Sequence, residues 1–185
     1  MKAKQKSLRY LLFVNLFSLT GYYTFAPLYA LFAHNFNITP KHISLIWGGY
    51  SLLTALFILA FGRYENMRKK GKLVVLGYFI YAIGALLFLT VHDEKSLEIV
   101  LVFNALGAGV TLPAYKTLFA HNELRGKESE QWSWLDAGNM FAAAAGGALG
   151  GLIVGTYDFR GIFITMAAIQ IVAAVVAYRF LYKLT

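Results

Sequence analysis

The sequence predicts an all-α membrane protein of six transmembrane helices. Three observations carry that expectation. The 185 residues are 58% hydrophobic and only 14% charged, whereas a soluble domain carries about 25% charge. Six apolar runs are each about long enough to cross a hydrocarbon core of roughly 30 Å. Lys and Arg gather in alternate loops, as cytoplasmic loops require. The spans use up the length, so residues 1–185 form a single transmembrane domain with no room for a soluble catalytic one.

The first span is expected over 8–33, behind the basic segment MKAKQKSLRY. No A-x-A-like site closes the run, and it is too long for a signal-peptide core. It is therefore expected to stay as a span. The second span covers 43–61 and the third 73–91. Between them lies GRYENMRKKGK, Gly62 to Lys72, with five Lys and Arg. This tight basic loop is the strongest topological signal in the chain. The fourth span covers 97–119 and leads into a polar loop, 121–131. The fifth covers 132–154 and the sixth 162–181. Lys2, Lys4, Lys6, Arg9, the central loop, Lys116, Arg125, Lys127, Arg179 and Lys183 all fall on one side. Only Lys41, Lys95 and Arg160 fall on the other. Both termini are therefore expected in the cytoplasm, in a bacterial-type inner membrane. The net charge of +8 is accounted for by topology and anionic lipid, not by a nucleic-acid partner.

The composition also excludes chemistry. The chain has no cysteine, which removes disulfides, thiol catalysis and cysteine metal sites. His34, His42, His92 and His121 sit at expected interfaces and show no metal-ligand spacing. No hydrolase, zinc-protease or phosphate-loop motif is present. The chain is not expected to be an enzyme or to carry a cofactor or metal.

Polar residues inside spans face the bundle interior, because lipid cannot satisfy them. Asn15, Ser18, Tyr22 and Tyr29 share one face of the first span. Asn104, Thr111 and Tyr115 share one face of the fourth. Together with Tyr23, Asn15, Tyr22, Asn104, Thr111 and Tyr115 are the expected lining of a substrate cavity. The bland alternative is that these groups hydrogen-bond neighbouring helices. The fifth span is small-faced, with Ala142, Gly146 and Gly150 at intervals of four and Gly147 and Gly151 beside them. Such faces let helices approach closely, in the same chain or in a second copy. Ser44, Gly48, Ser51 and Ala55 form a similar stripe on the second span. Asp136 is the one carboxylate expected inside a span, about one turn from the cytoplasmic face. There it can reach Arg68, Lys69 or Lys70 and latch spans two, three and five together.

With these features the chain resembles the N-terminal six-helix half of the major facilitator superfamily over nearly its whole length. The family's loop between helices two and three reads G-x-x-x-D-R/K-x-G-R-R/K. Here Gly62 and the basic end match, Asn66 stands at the Asp position with Glu65 beside it, and Lys69 replaces the inner Gly. The antiporter branch carries G-P-x-x-G-G in helix five, and Gly146, Gly147, Gly150 and Gly151 follow it with Gly147 at the Pro position. The R-x-x-Q-G of helix four is replaced at Phe103 and Leu106, with Gly107 kept. The resemblance implies a 3+3 inverted-repeat half. In it, spans one and four line the cavity, spans two and five form an interface, and spans three and six face lipid. It also implies a cytoplasmic latch of Gly62, Glu65, Asn66, Arg68, Lys69, Lys70 and Asp136. Members usually have twelve helices in two parallel halves, so a C2 homodimer of half-size subunits is expected. The function expected is transport of a small organic solute by alternating access, leaning to export or antiport. The rival expectations are a non-transporting scaffold or accessory subunit, and one half of a split transporter.

Overall fold

The computed structural model describes residues 2–63 and 70–181, and its regular elements there are helical. They are α1 (Lys2–Tyr23), α2 (Tyr29–His34), α3 (Pro40–Gly62), α4 (Lys70–Leu87), α5 (Glu94–His121) and α6 (Glu128–Leu181). Short 3-10 turns occupy Ala26–Leu28 and Phe88–Thr90. Pro27 sits in the first of these turns, and its fixed φ and missing N–H end α1 ahead of α2. Thr39 caps α3 by accepting the N–H of His42 at 3.4 Å, with Pro40 in the first turn. Asp93 and Ser96 cap α5 reciprocally: the Asp93 carboxylate accepts the Ser96 N–H, and the Ser96 hydroxyl accepts the Asp93 N–H.

Among the described residues, five stretches are long and apolar enough to cross a membrane: Lys4–His34, Pro40–Gly62, Lys70–Thr90, Glu94–His121 and Glu128–Phe180. The last has 53 residues, or about 80 Å of helix, far more than one crossing needs. Its backbone breaks at Asp158, with φ 62° and ψ −175°. Contacts with α1 show what the break does. Before it, Asn139 meets Asn15, Gly146 meets Tyr23, and Gly150 meets Thr24. After it, Phe163 meets Phe25, Gln170 meets Ser18, and Phe180 stacks on Tyr10. The 128–157 arm therefore runs parallel to α1 and the 159–181 arm antiparallel. The chain turns back on itself within a single residue, and Asp158 accepts the N–H of Phe159 at 2.7 Å there.

The same relation recurs around α5. Gly109 and Phe57, then Pro113 and Gly62, are in register, so α3 runs parallel to α5. Gly77 lies against Thr111 and Gly84 against Asn104, so α4 runs antiparallel to it. At Gly77, Gly84 and Gly109 glycine is needed for close approach, since an added Cβ would overlap the neighbour. α4 also packs on α6, which joins the two groups of helices.

Among the described residues, two apolar cores result from this layout. One holds Phe25, Phe32, Phe88, Phe159 and Phe163 at the end carrying His42 and Asp158. The other holds Leu11, Val14, Val74, Tyr115 and Phe119 at the end carrying Lys4, Lys70 and His121. Lys4 donates to the His121 carbonyl at 2.9 Å, which closes the second end. Lys and Arg outnumber carboxylates there, which makes it the basic end of the molecule.

Candidate functional site

Aromatic side chains from three helices converge on one narrow cavity. Tyr22 enters from α1, Trp47 and Tyr50 from α3, and Tyr81 from α4. Asn104 of α5 supplies the amide, and Phe25, Ala26, Phe88, Leu101 and Met166 complete the lining. The open volume is about 30 Å³, enough for a water molecule but not for an organic solute. The rings hold one another: Tyr29 to Trp47 is 4.9 Å, Trp47 to Tyr50 is 5.3 Å, and Tyr22 to Tyr23 is 5.2 Å between centroids. Among the described residues, no carboxylate, ammonium or guanidinium lines the cavity.

A larger cleft opens from it. About 420 Å³ lies between α3 and α5 at the end away from the basic loops. Tyr50 and Leu101 belong to both spaces, so cleft and cavity adjoin. His42 Nδ1 and Glu94 Oε1 stand 3.2 Å apart across its mouth, and Glu98 lies one turn further along α5. The sequence expectation of a single intraspan carboxylate is corrected here, because Glu98 also falls within an apolar helix and lines this cleft.

Of the six expected cavity residues, the structure brings Tyr22 and Asn104 together. The others serve helix contacts. Asn15 donates to Asn139 at 2.7 Å, and Tyr115 donates to the Leu11 carbonyl at 3.2 Å. Thr111 donates to the Gly107 carbonyl at 2.7 Å and is buried against α4. Tyr23 lies over Gly146. A hydroxyl or amide in an apolar bundle takes the nearest carbonyl when one is within reach. Sequence reasoning missed Trp47, Tyr50 and Tyr81. The available signal was the spacing of Trp47 and Tyr50, three residues apart on one helical face.

The other expected sites divide. Ala142, Gly146 and Gly150 are buried against α1 of the same chain, and Gly147 has only Pro27 nearby. Ser44, Gly48, Ser51, Ala55 and Gly151 are exposed. Within the expected latch, Glu65, Asn66, Arg68 and Lys69 lie outside the described residues. Gly62 approaches Pro113, Lys70 is buried at the start of α4, and Asp136 is exposed on α6. No ion pair joins Asp136 to Lys70 among the described residues. No group of three metal-ligating side chains occurs among them either.

Comparison with known proteins adds the last observation. The model of the Major Facilitator Superfamily matches residues 11–184. The riboflavin transporter RibZ of Clostridioides difficile is 26% identical over 155 residues, which cover 82% of this chain and 33% of that protein. An uncharacterized MFS-type transporter of Methanocaldococcus jannaschii is 22% identical over 153 residues, 83% of this chain and 40% of that one. The chain thus spans between a third and two fifths of the length of these relatives.

Proposed function

The chain belongs to the major facilitator superfamily, and from that premise we propose that it is a multi-pass transporter subunit moving a small, neutral organic solute by alternating access. The observation that carries this reading is the uncharged aromatic cavity of Tyr22, Trp47, Tyr50, Tyr81 and Asn104, adjoining a wider cleft between α3 and α5. A path that is wide on one side and narrowed to about 30 Å³ in the middle suits one limb of an alternating cycle. A cluster of aromatic rings with one amide suits a flat organic solute. One of the relatives is a riboflavin transporter, and riboflavin carries a flat ring system.

The reading counts six crossings, with the two arms of α6 as the fifth and sixth. The parallel and antiparallel neighbours of α1 repeat around α5, which supports a 3+3 inverted repeat. Even crossings put both termini on one side, and the basic end makes that side the cytoplasm.

A bundle of this size is proposed to need a second six-helix body to enclose the path. The support is in the glycines. Gly21, Gly77, Gly84, Gly107, Gly109, Gly146 and Gly150 all sit where a Cβ would press on a neighbouring helix. Gly48, Gly49, Gly151 and Gly155 have nothing within 4 Å. Each interior glycine destabilises a helix by about 1 kcal/mol relative to alanine, so an unused row points to a contact outside this chain. The favoured partner is a second copy, docked by α3 and the 128–157 arm. The relatives' greater length supports a second reading, in which the missing half is a different six-helix segment.

The transport reading is tested by flux into proteoliposomes. Asn104→Leu should cut solute flux at least 10-fold while leaving the melting temperature within a few degrees. Asn104 already has the Val100 carbonyl as its own partner at 2.9 Å, so the fold does not depend on a bond to another helix. Unchanged flux would remove this cavity from the pathway.

A further inference from the structure

Tyr50 and Leu101 face both the wide cleft between α3 and α5 and the narrow aromatic cavity beside it. They stand between about 420 Å³ on one side and about 30 Å³ on the other. Small-molecule sites occupy about 300–1,000 Å³. A solute that is to reach Asn104 therefore needs the cleft and the cavity joined.

The two side chains between them are held differently. Leu101 is 5% exposed and belongs to the core that contains Leu97, Ile162 and Phe163. Displacing it would open a close-packed interior, which resists such change. Tyr50 is half-buried and packs on that core from its edge. Its ring meets Trp47, with centroids 5.3 Å apart and planes tilted by 49°. Trp47 is backed in turn by the buried Tyr29 at 4.9 Å, so Trp47 is the post and Tyr50 the part that can swing. The cleft beside it has room. Gly49 lines the cleft next to Tyr50, and a Cβ added there would meet nothing within 4 Å. Turning χ1 from one staggered well to another has open space into which to carry the ring.

We propose that Tyr50 is the gate between cleft and cavity and sets the size of solute that reaches Asn104. With its ring in place the cavity is shut. With its ring turned, cleft and cavity form one site, walled by Trp47 and Tyr50 and ending at the Asn104 amide. The bulk of the ring makes the seal, and its face then offers an aromatic solute an offset or edge contact. The part played by the solute rests on the transport reading; the seal does not.

Thiol labelling tests the seal without any transported solute. The chain has no cysteine, so one introduced thiol reports on one place. Asn104→Cys reports on the cavity, Val102→Cys on the cleft, and Ala173→Cys on the core at the basic end. The full chain in lipid nanodiscs is treated with a trimethylammonium methanethiosulfonate, a cation that Glu94 and Glu98 in the cleft lining attract. With Tyr50 in place, Val102→Cys should react fast and Asn104→Cys slowly. A minor open state is about 0.1–10% populated, so Tyr50→Ala should speed labelling of Asn104→Cys by about 10-fold or more. Tyr50→Phe keeps the ring and should keep the seal, and Tyr50→Leu should fall between the two. Labelling of Val102→Cys and Ala173→Cys should not change. A failed gate shows here and a failed transport reading shows in the flux of Asn104→Leu, so the two are separable. Three results would overturn the proposal: equal labelling of Asn104→Cys in every variant, a seal lost in Tyr50→Phe, or an equal gain at Ala173→Cys, which would make Tyr50 a packing residue only.

Discussion

Single polar side chains fix how the helices of this bundle pair, because in lipid an unmet hydrogen bond has no water to fall back on. The clearest case is Gln170. Its Oε1 accepts the Ser18 hydroxyl at 2.8 Å, and its Nε2 donates to the Ser18 backbone carbonyl at 3.0 Å. Both residues are buried. The clasp ties the 159–181 arm to α1 beside Gly21, whose missing Cβ makes room for Ile169. Interhelical bonds in membranes are worth about 0.6 kcal/mol on average and up to about 1.7. Gln170→Leu breaks two of them and should destabilise by about 1–2 kcal/mol, a fall of roughly 2–8 °C in melting temperature at the 2–4 °C per kcal/mol typical of this size. Ser18→Ala removes one and spares the carbonyl bond, so it should lose about half as much. Thermal melts of the two variants in one detergent check the ratio, and equal losses would show that the amide does not act through both atoms.

At the scale of elements, hydropathy made most of the helices legible, because a run long enough to cross lipid needs no tertiary context to be recognised. The capped starts of α3 and α5 lie within three residues of the expected boundaries at 43 and 97. The α6 turn was not legible as it occurs. An expected loop over 155–161 is instead helix up to and beyond Asp158, reversing through one residue in a backbone region that L-residues rarely adopt. The aromatic cavity was hidden for a different reason. Trp47, Tyr50 and Tyr81 come from two helices, and which way each helix is rotated is decided by glycine contacts such as Gly109 with Phe57. One end signal has a measurable pH dependence. The Ser96 hydroxyl and N–H both bond the Asp93 carboxylate, and that pairing holds its pKa below the ordinary aspartate range. A depressed carboxylate contributes stability that is fully present above its unfolded pKa, about 3.9, and is lost as pH falls through the lower folded value. Asp93→Asn keeps an acceptor at the cap but has no charge to lose. Between about pH 6 and about pH 3, the melting temperature of the wild type should therefore fall further than that of Asp93→Asn. Parallel curves for the two proteins would mean that the α5 cap does not titrate.

At the scale of the whole molecule, exposure alone says little, since a leucine facing lipid is as comfortable as one facing another helix. α3 shows the difficulty: only 11% of its most apolar window is buried, against 56% for α5. Leu45, Leu52, Leu56 and Leu59 on its open side would suit either environment. Its hydroxyls do not decide the matter, because Ser44 and Ser51 already donate to the Pro40 and Trp47 carbonyls. Glycine does decide it, because the sign of its replacement differs between the two cases. If α3 faces lipid, Gly48→Ala and Gly49→Ala relieve helix-propensity losses of about 1 kcal/mol each and should raise the melting temperature. If a second body packs there, the added methyls separate the two helices, and the same changes should lower both the melting temperature and the share of the larger species. Gly150→Ala is the internal control, because Thr24, just past the end of α1, occupies the space its Cβ would take, and it should destabilise by about 1–3 kcal/mol whatever the assembly. Mass measurement in lipid nanodiscs, run beside the melts, reads the assembly directly. The proposed second body requires a dimer-sized particle that Gly48→Ala weakens and Gly150→Ala destabilises. A particle of one subunit that Gly48→Ala makes more stable would place α3 against lipid and end the case for a partner there.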